Sequence, residues 1–127
     1  MAKIYPKLLE ADIIILASPI FFYGVTAWAK GLIDRCQALW ALKYLLKKPI
    51  SLVPKEKRRA LFVAVGGTRL KDTFSPSLVI VKTWLRILDF GYAGELTYPG
   101  IDEAGAIKQH PSALHDAFAA GQKLAED

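Results

Sequence analysis

"DIIILASPIFFYG", residues 12–24, is the stretch on which the fold turns. The segment "IIILA", 13–17, has no polar position, so it lacks the period-two alternation of a strand with one wet face. A strand apolar throughout is covered on both faces, the habit of parallel sheets with helices above and below. Ser18-Pro19 then ends the run, and Ile20, Phe21, Phe22, Tyr23 and Gly24 follow, where turn residues are normally polar. Such aromatics either cap the core or form a platform for a flat, partly apolar ligand.

The elements on either side repeat the alternation. Residues 2–11 read as a helix with Ile4, Leu8 and Ala11 on one face. From Val25 to about Leu42, the residues Val25, Trp28, Leu32, Cys36, Leu39 and Trp40 recur near helical spacing, which predicts one long amphipathic helix capped by Thr26. A basic, turn-rich connection, 47–59, leads to a second all-apolar strand, "ALFVAVGG", 60–67. Ser75-Pro76 reads as a cap and first-turn proline for a helix running through Leu78, Val81, Leu85 and Leu88 to a stop at Gly91. "YAGELTY", 92–98, is a third strand, and Pro111 opens a last helix whose inner face would hold Leu114, Phe118, Ala119 and Leu124. The order αβαβαβα points to a three-layer α/β/α sandwich around a parallel sheet.

The chain's 127 residues, 53% apolar and 23% charged, fit one globular domain with a single core. No apolar stretch approaches the roughly 20 residues of a spanning helix, and the amphipathic N-terminal segment lacks signal-peptide character, so a cytoplasmic protein without membrane contact is expected. One cysteine, Cys36, excludes an intrachain disulfide framework and a four-cysteine metal or cluster site; it reads as a buried small apolar residue. His110 and His115 are five apart, which is not the spacing that places two ligands on one helix face. The net charge of +5 comes largely from Lys43, Lys47, Lys48 and "KEKRR", 55–59. Without interleaved stacking aromatics this run reads as a solvated loop or edge gatekeeper, so no nucleic-acid partner is expected. Asp34, four residues after Lys30, reads as its helix-face ion pair.

In an open parallel sheet the ligand crevice lies at the carboxyl ends of strands, where the strand order reverses. Two loops leave such ends here: "SPIFFYGVT", 18–26, and "GGTRLKDTF", 66–74. An aromatic loop beside Gly66, Gly67 and Thr68 suits a flat ring whose polar edge meets unobstructed backbone N–H groups. Neither a GxGxxG fingerprint nor a GxxxxGK[ST] loop is present, and no nucleophile with a paired base stands at motif spacing. Any chemistry would belong to a cofactor, and no catalytic side chain is assigned.

"LLEADIIILASPIFFYGVTAWAKGLIDRCQALW", 8–40, resembles the middle of the NADPH-dependent FMN reductase family, in particular its iron-sulfur flavoprotein branch, and "GIDEAGAIKQHPSALHDAFAAGQKLA", 100–125, resembles that family's closing pattern. The resemblance implies a flavodoxin-like fold, N-terminally truncated to about three strands. It implies FMN as cofactor and NAD(P)H as co-substrate. Ser18, Pro19, Ile20, Phe21, Phe22, Tyr23 and Gly24 would lie along the isoalloxazine, and Gly66, Gly67 and Thr68 would approach its pyrimidine side. The family's first strand and Ser/Gly-rich phosphate loop have no counterpart here, so FMN binding by the isolated chain is expected to be weak or absent. A first strand of central-strand composition leaves one edge unpaired, which predicts a homo-oligomer, such as a dimer joined along that edge. An electron-transfer flavodoxin and a non-enzymatic interaction module using the open edge are the alternatives.

Overall fold

The computed structural model describes residues 1–126. Five helices and three strands alternate: α1 (Ile4–Glu10), β1 (Ile13–Pro19), α2 (Ala27–Arg35), α3 (Gln37–Tyr44), β2 (Arg59–Gly66), α4 (Ser75–Ile87), β3 (Gly91–Pro99) and α5 (Ala113–Glu126), with 3₁₀ turns at Lys55–Lys57 and Ala106–Gln109. The sheet is parallel and its strands lie in the order β1-β2-β3. Ile13 opposes Arg59 and Pro19 opposes Val65 across the first pair. Across the second pair the register slips between Ala60 and Leu61, where Gly94 of β3 adopts φ +133. Among the described strands the order nowhere reverses, so the expected crevice at a reversal point is replaced by a rim running straight across three strand ends.

Alternation along β2 separates the layers. Ala60, Phe62 and Ala64 point into the main core with Val81, Trp84, Leu85 and Leu88 from the α4 segment, Leu8 from α1, and Cys36 and Leu39. Facing the other way, Arg59 donates to the carbonyl of Leu124 in α5 through Nη2 at 2.8 Å. On β3, Tyr98 donates to Asp116 of α5 at 2.8 Å. Helices α1 to α4 therefore cover one face and α5 the other.

That second cover is incomplete, which corrects the expectation for β1. Ile13, Ile15 and Ala17 are exposed, Ile15 at 56%, while Ile14 and Leu16 reach the core. The all-apolar run thus has one covered face and one bare face, because α5 sits over β3 and the adjoining part of β2. The same gap leaves Leu114 and Phe118 of α5 exposed; Ala113 and Leu124 provide that helix's buried contacts instead.

The long helix expected from Val25 to Leu42 is two helices broken at Cys36. Its N–H turns back to the carbonyl of Ile33 at 3.0 Å, and the tightened turn seats the thiol in the core. Tyr5 donates its hydroxyl to the carbonyl of Arg35 at the break. Burial pushes the Cys36 thiol up from its ordinary pKa. Thr26 caps α2 as expected, accepting from the N–H of Ala29 at 3.2 Å, and Lys30 pairs with Asp34 at 2.6 Å. Trp28, placed on the inner stripe by its spacing, is instead 91% exposed.

The start and stop of α4 also differ from expectation. Phe74, not Ser75, is the residue before its first turn, and no side chain caps it. The helix ends at Ile87, and Asp89, at φ +62, takes the left-handed position that Gly91 was expected to fill; Gly91 opens β3. Lys43 secures this end, donating to the carbonyl of Arg86 at 2.9 Å and pairing with Asp89 at 2.6 Å.

Arg58 is the largest departure from the solvated reading of "KEKRR". It is 1% exposed, its guanidinium lies 3.9 Å from the centroid of Phe90, and its nitrogens donate to the carbonyls of Ala11 at 3.1 Å, Leu88 at 2.9 Å and Leu8. Carbonyls at helix C-termini lack intrahelical partners and carry the negative end of the macrodipole. One buried cation therefore closes the ends of α1 and α4 together.

Candidate functional site at the carboxyl rim

The loops after all three strands meet on one rim. The N–H of Ile20 donates to Val65 at 2.9 Å, and that of Ile101 donates to Gly66 at 3.0 Å, so the β1 and β3 loops both fasten to the end of β2.

The aromatic loop is a tight turn. Phe21 and Gly24 exchange two backbone hydrogen bonds of 3.0 Å each, enclosing Phe22 at φ +50 and Tyr23 at φ +66. Positive φ at both central residues is the habit of a type I′ turn, which prefers Asn and Gly because a Cβ is crowded there. Two aromatic residues in those positions are strained, and strain of this kind concentrates at functional sites. Nothing apolar compensates at Phe22, which is 101% exposed; Phe21 is 61% exposed and Tyr23 42%. The turn is held from beneath. The buried hydroxyl of Ser77 in α4 donates to the carbonyl of Tyr23 at 2.8 Å. Ser18 is buried as well, accepting from the N–H of Thr26 at 3.1 Å and donating to the carbonyl of Pro19 at 2.8 Å. Ser18 and Gly24 thus shape the loop, and the surfaces offered to a ligand come from Pro19 to Tyr23.

Two concavities flank Phe21. The first, about 390 Å³, is lined by Pro19, Ile20, Phe21, Gly66 and Gly67 on one side and by the loop Ile101–Gly105 on the other. The second, about 380 Å³, is lined by Ile20, Phe21, Phe22, Tyr23, Gly67, Thr68 and Leu70. All the sequence-selected residues except Ser18 and Gly24 line one or the other. Gly67 is tightly placed: a Cβ there would stand 3.0 Å from Oδ1 of Asp102. The loop beyond it is braced by its own hydroxyls, Thr68 accepting from the N–H of Leu70 at 3.2 Å and Thr73 donating to the Leu70 carbonyl.

Charge divides across the rim. Asp102 and Glu103 line the first concavity, whereas Arg69 lies beyond the second, in an adjoining hollow that shares Leu70. Sequence reasoning passed over Asp102, Glu103 and Arg69; the acidic-Gly turn was visible in the sequence, but nothing there placed it against Gly67. Larger grooves, about 530 Å³ between α2–α3 and α4 and about 550 Å³ at the amino ends of β2 and β3, lie away from this rim. No described helix is long and apolar enough to cross a membrane.

The arrangement suits a flat ring system with an apolar face and a polar edge. Phe21, Phe22 and Tyr23 offer faces for stacking; Gly66 is buried against Ile20, Thr73 and Phe74, and the exposed Gly67 lies beside the Asp102 carboxylate without a side chain of its own on the rim. An isoalloxazine has those properties, so the residues present fit a flavin.

Comparison with known proteins agrees with the geometry. Over 69 residues the chain is 36% identical to an iron-sulfur flavoprotein of Methanocaldococcus jannaschii, covering 54% of this chain and 31% of that relative. The chain therefore spans about a third of the length of the curated relative it matches. Among solved structures, the Trp repressor binding protein from Bacillus subtilis superposes with a TM-score of 0.68 at 24% identity, over 91% of this chain and 72% of its own. A flavone reductase superposes with a TM-score of 0.70 at 18% identity, over 98% of this chain and 45% of its own. These likenesses establish a flavodoxin-like fold. The NADPH-dependent FMN reductase family matches residues 1–87, from α1 through the aromatic turn and β2 to the end of α4, and the chain belongs to that family.

Proposed function

We propose that the chain binds FMN at the carboxyl rim and serves an FMN-dependent NAD(P)H oxidoreductase reaction. The observation that carries this reading is the strained aromatic turn, whose Phe22 side chain has no packing role in the fold. Bound FMN supplies hydride acceptance and donation at its ring. The chain's own residues position and enclose it: Phe21, Phe22 and Tyr23 stack on the ring, Gly66, Gly67 and Thr68 meet its polar edge, and Pro19 and Ile20 exclude water from the base of the site. No side chain is assigned a proton transfer, because the ring chemistry calls for positioning rather than an acid or base from the protein.

Ring contacts alone give modest affinity, so the isolated chain is expected to purify colourless or faintly yellow and to bind added FMN weakly. Titration followed by quenching of flavin fluorescence tests this. Saturable quenching lost in Phe22→Ala supports the reading, and absence of quenching at millimolar FMN refutes it. NADPH oxidation dependent on added FMN would separate a reductase from a one-electron carrier. We further propose that copies associate through the open edge and bare face of β1.

A further inference from the structure

We propose that the groove at the amino ends of β2 and β3 binds a small molecule carrying a di- or triphosphate, independently of the ring site at the opposite end of the sheet. The groove, about 550 Å³, is of ligand size, and Lys55, Arg58, Arg59 and Lys123 line it with one acidic side chain, Glu56. Among the described residues the ion pairs are Lys30 with Asp34 and Lys43 with Asp89, so none of these four cations is paired with a carboxylate.

Two of the cations are fixed in place. Arg58 is buried, and its Nε, Nη1 and Nη2 donate to the carbonyls of Ala11, Leu88 and Leu8. It therefore holds a positive charge behind the groove, in an interior where salt screens little. Arg59 is half-buried and donates through Nε and Nη2, at 3.2 and 2.8 Å, to one acceptor, the Leu124 carbonyl. That contact occupies one edge of the guanidinium. Among the described residues its outer edge, with Nη1, meets no partner, and it offers the parallel N–H pair that two phosphate oxygens accept. Lys55, from the 3₁₀ turn before β2, and Lys123, from the last turn of α5, add two exposed ammonium groups from separate elements. Gly91 and Ala93 of β3 line the same groove and take up little of its space. A monocarboxylate would leave most of this charge unanswered, whereas a polyphosphate spreads several negative charges over several oxygens and matches both the cation count and the fork.

Calorimetric titration of pyrophosphate into the full chain, at constant ionic strength, tests the site. Saturable binding is expected, with Lys55→Glu and Lys123→Glu each lowering affinity about tenfold or more, as reversal of one charge-assisted contact allows. Both lysines are exposed, so Tm should not move. Glu56→Gln, which removes the groove's acid, should raise affinity. Lys108→Glu makes the same change of net charge in the 3₁₀ turn after β3, at the other end of the sheet, and is expected to stay within about twofold of the parent. Riboflavin, which has no phosphate, should not compete. Absence of saturable binding at millimolar pyrophosphate would overturn the proposal. Equal losses in Lys108→Glu and Lys123→Glu would overturn it as well, by reducing the effect to net charge, and displacement by riboflavin would do so by moving the anion to the rim.

Discussion

Replacing Phe22 with glycine should stabilise the fold and weaken the ligand site together. A non-glycine residue held in the left-handed region costs roughly 1–2 kcal/mol, and Phe22 sits there at φ +50. Glycine removes that cost but loses about 0.5–1 kcal/mol through the greater freedom of the unfolded chain. Because the Phe22 side chain is fully exposed, no burial is forfeited. The balance favours the variant by about 0.5–1 kcal/mol, a rise in Tm of about 2–5 °C for a domain of this size. Stacking of an aromatic side chain on a flat base contributes about 1–3 kcal/mol, so flavin affinity should fall about fivefold or more. Phe22→Ala separates the two effects: it keeps the Cβ and the backbone strain, so Tm should stay put while affinity falls as in the glycine variant. Thermal unfolding followed by circular dichroism and flavin titration on the same preparations measure both. A Phe22→Gly chain less stable than its parent would show that the ring packs in the native state, and undiminished flavin affinity would remove the turn from the site.

Arg58→Met should lower unfolding free energy by about 3–5 kcal/mol in urea titrations, because it strands the carbonyls of Leu8, Ala11 and Leu88 in a dry interior. Tyr98, beside Asp116, is pushed up to about 12 by burial and by its hydrogen bond to that carboxylate. A phenol raised in this way stabilises the fold fully below its ordinary pKa of about 10, and that contribution is lost as pH climbs through the folded value. Ultraviolet titration should show Asp116→Asn bringing this ionisation down, and an unmoved curve would deny the contact. For the bare face of β1, Ile15→Lys should shift sedimentation toward monomer across a concentration series, whereas an unaltered chain that is monomeric throughout would refute association there.

What the sequence disclosed follows from the range of the interactions involved. The three strands, the Thr26 cap, the Lys30–Asp34 pair and the buried Cys36 rest on local pattern, and each stands where periodicity or spacing places it. The break at Cys36 did not show, because the apolar stripe continues past it and no Gly or Pro marks the turn. Arg58 looked solvated because its partners lie 30 to 50 residues away, at helix ends that no local window joins to it. The bare face of β1 escaped for the opposite reason: composition reports what a strand could bury, not whether a helix lies over it. At the rim, "IFFY" announced an odd loop, but the strain at Phe22 and Tyr23 is a backbone fact that a string of residues does not carry.

The strand order has a consequence for how such a sheet comes into being. Since β1, β2 and β3 pair in the order in which they occur, each strand meets only the one before it, and none must be inserted between two that are already joined. A chain emerging from the ribosome amino end first could add each strand to a finished edge as it appears, leaving no gap to be reopened. Its growing edge would be covered at every stage by the next arrival.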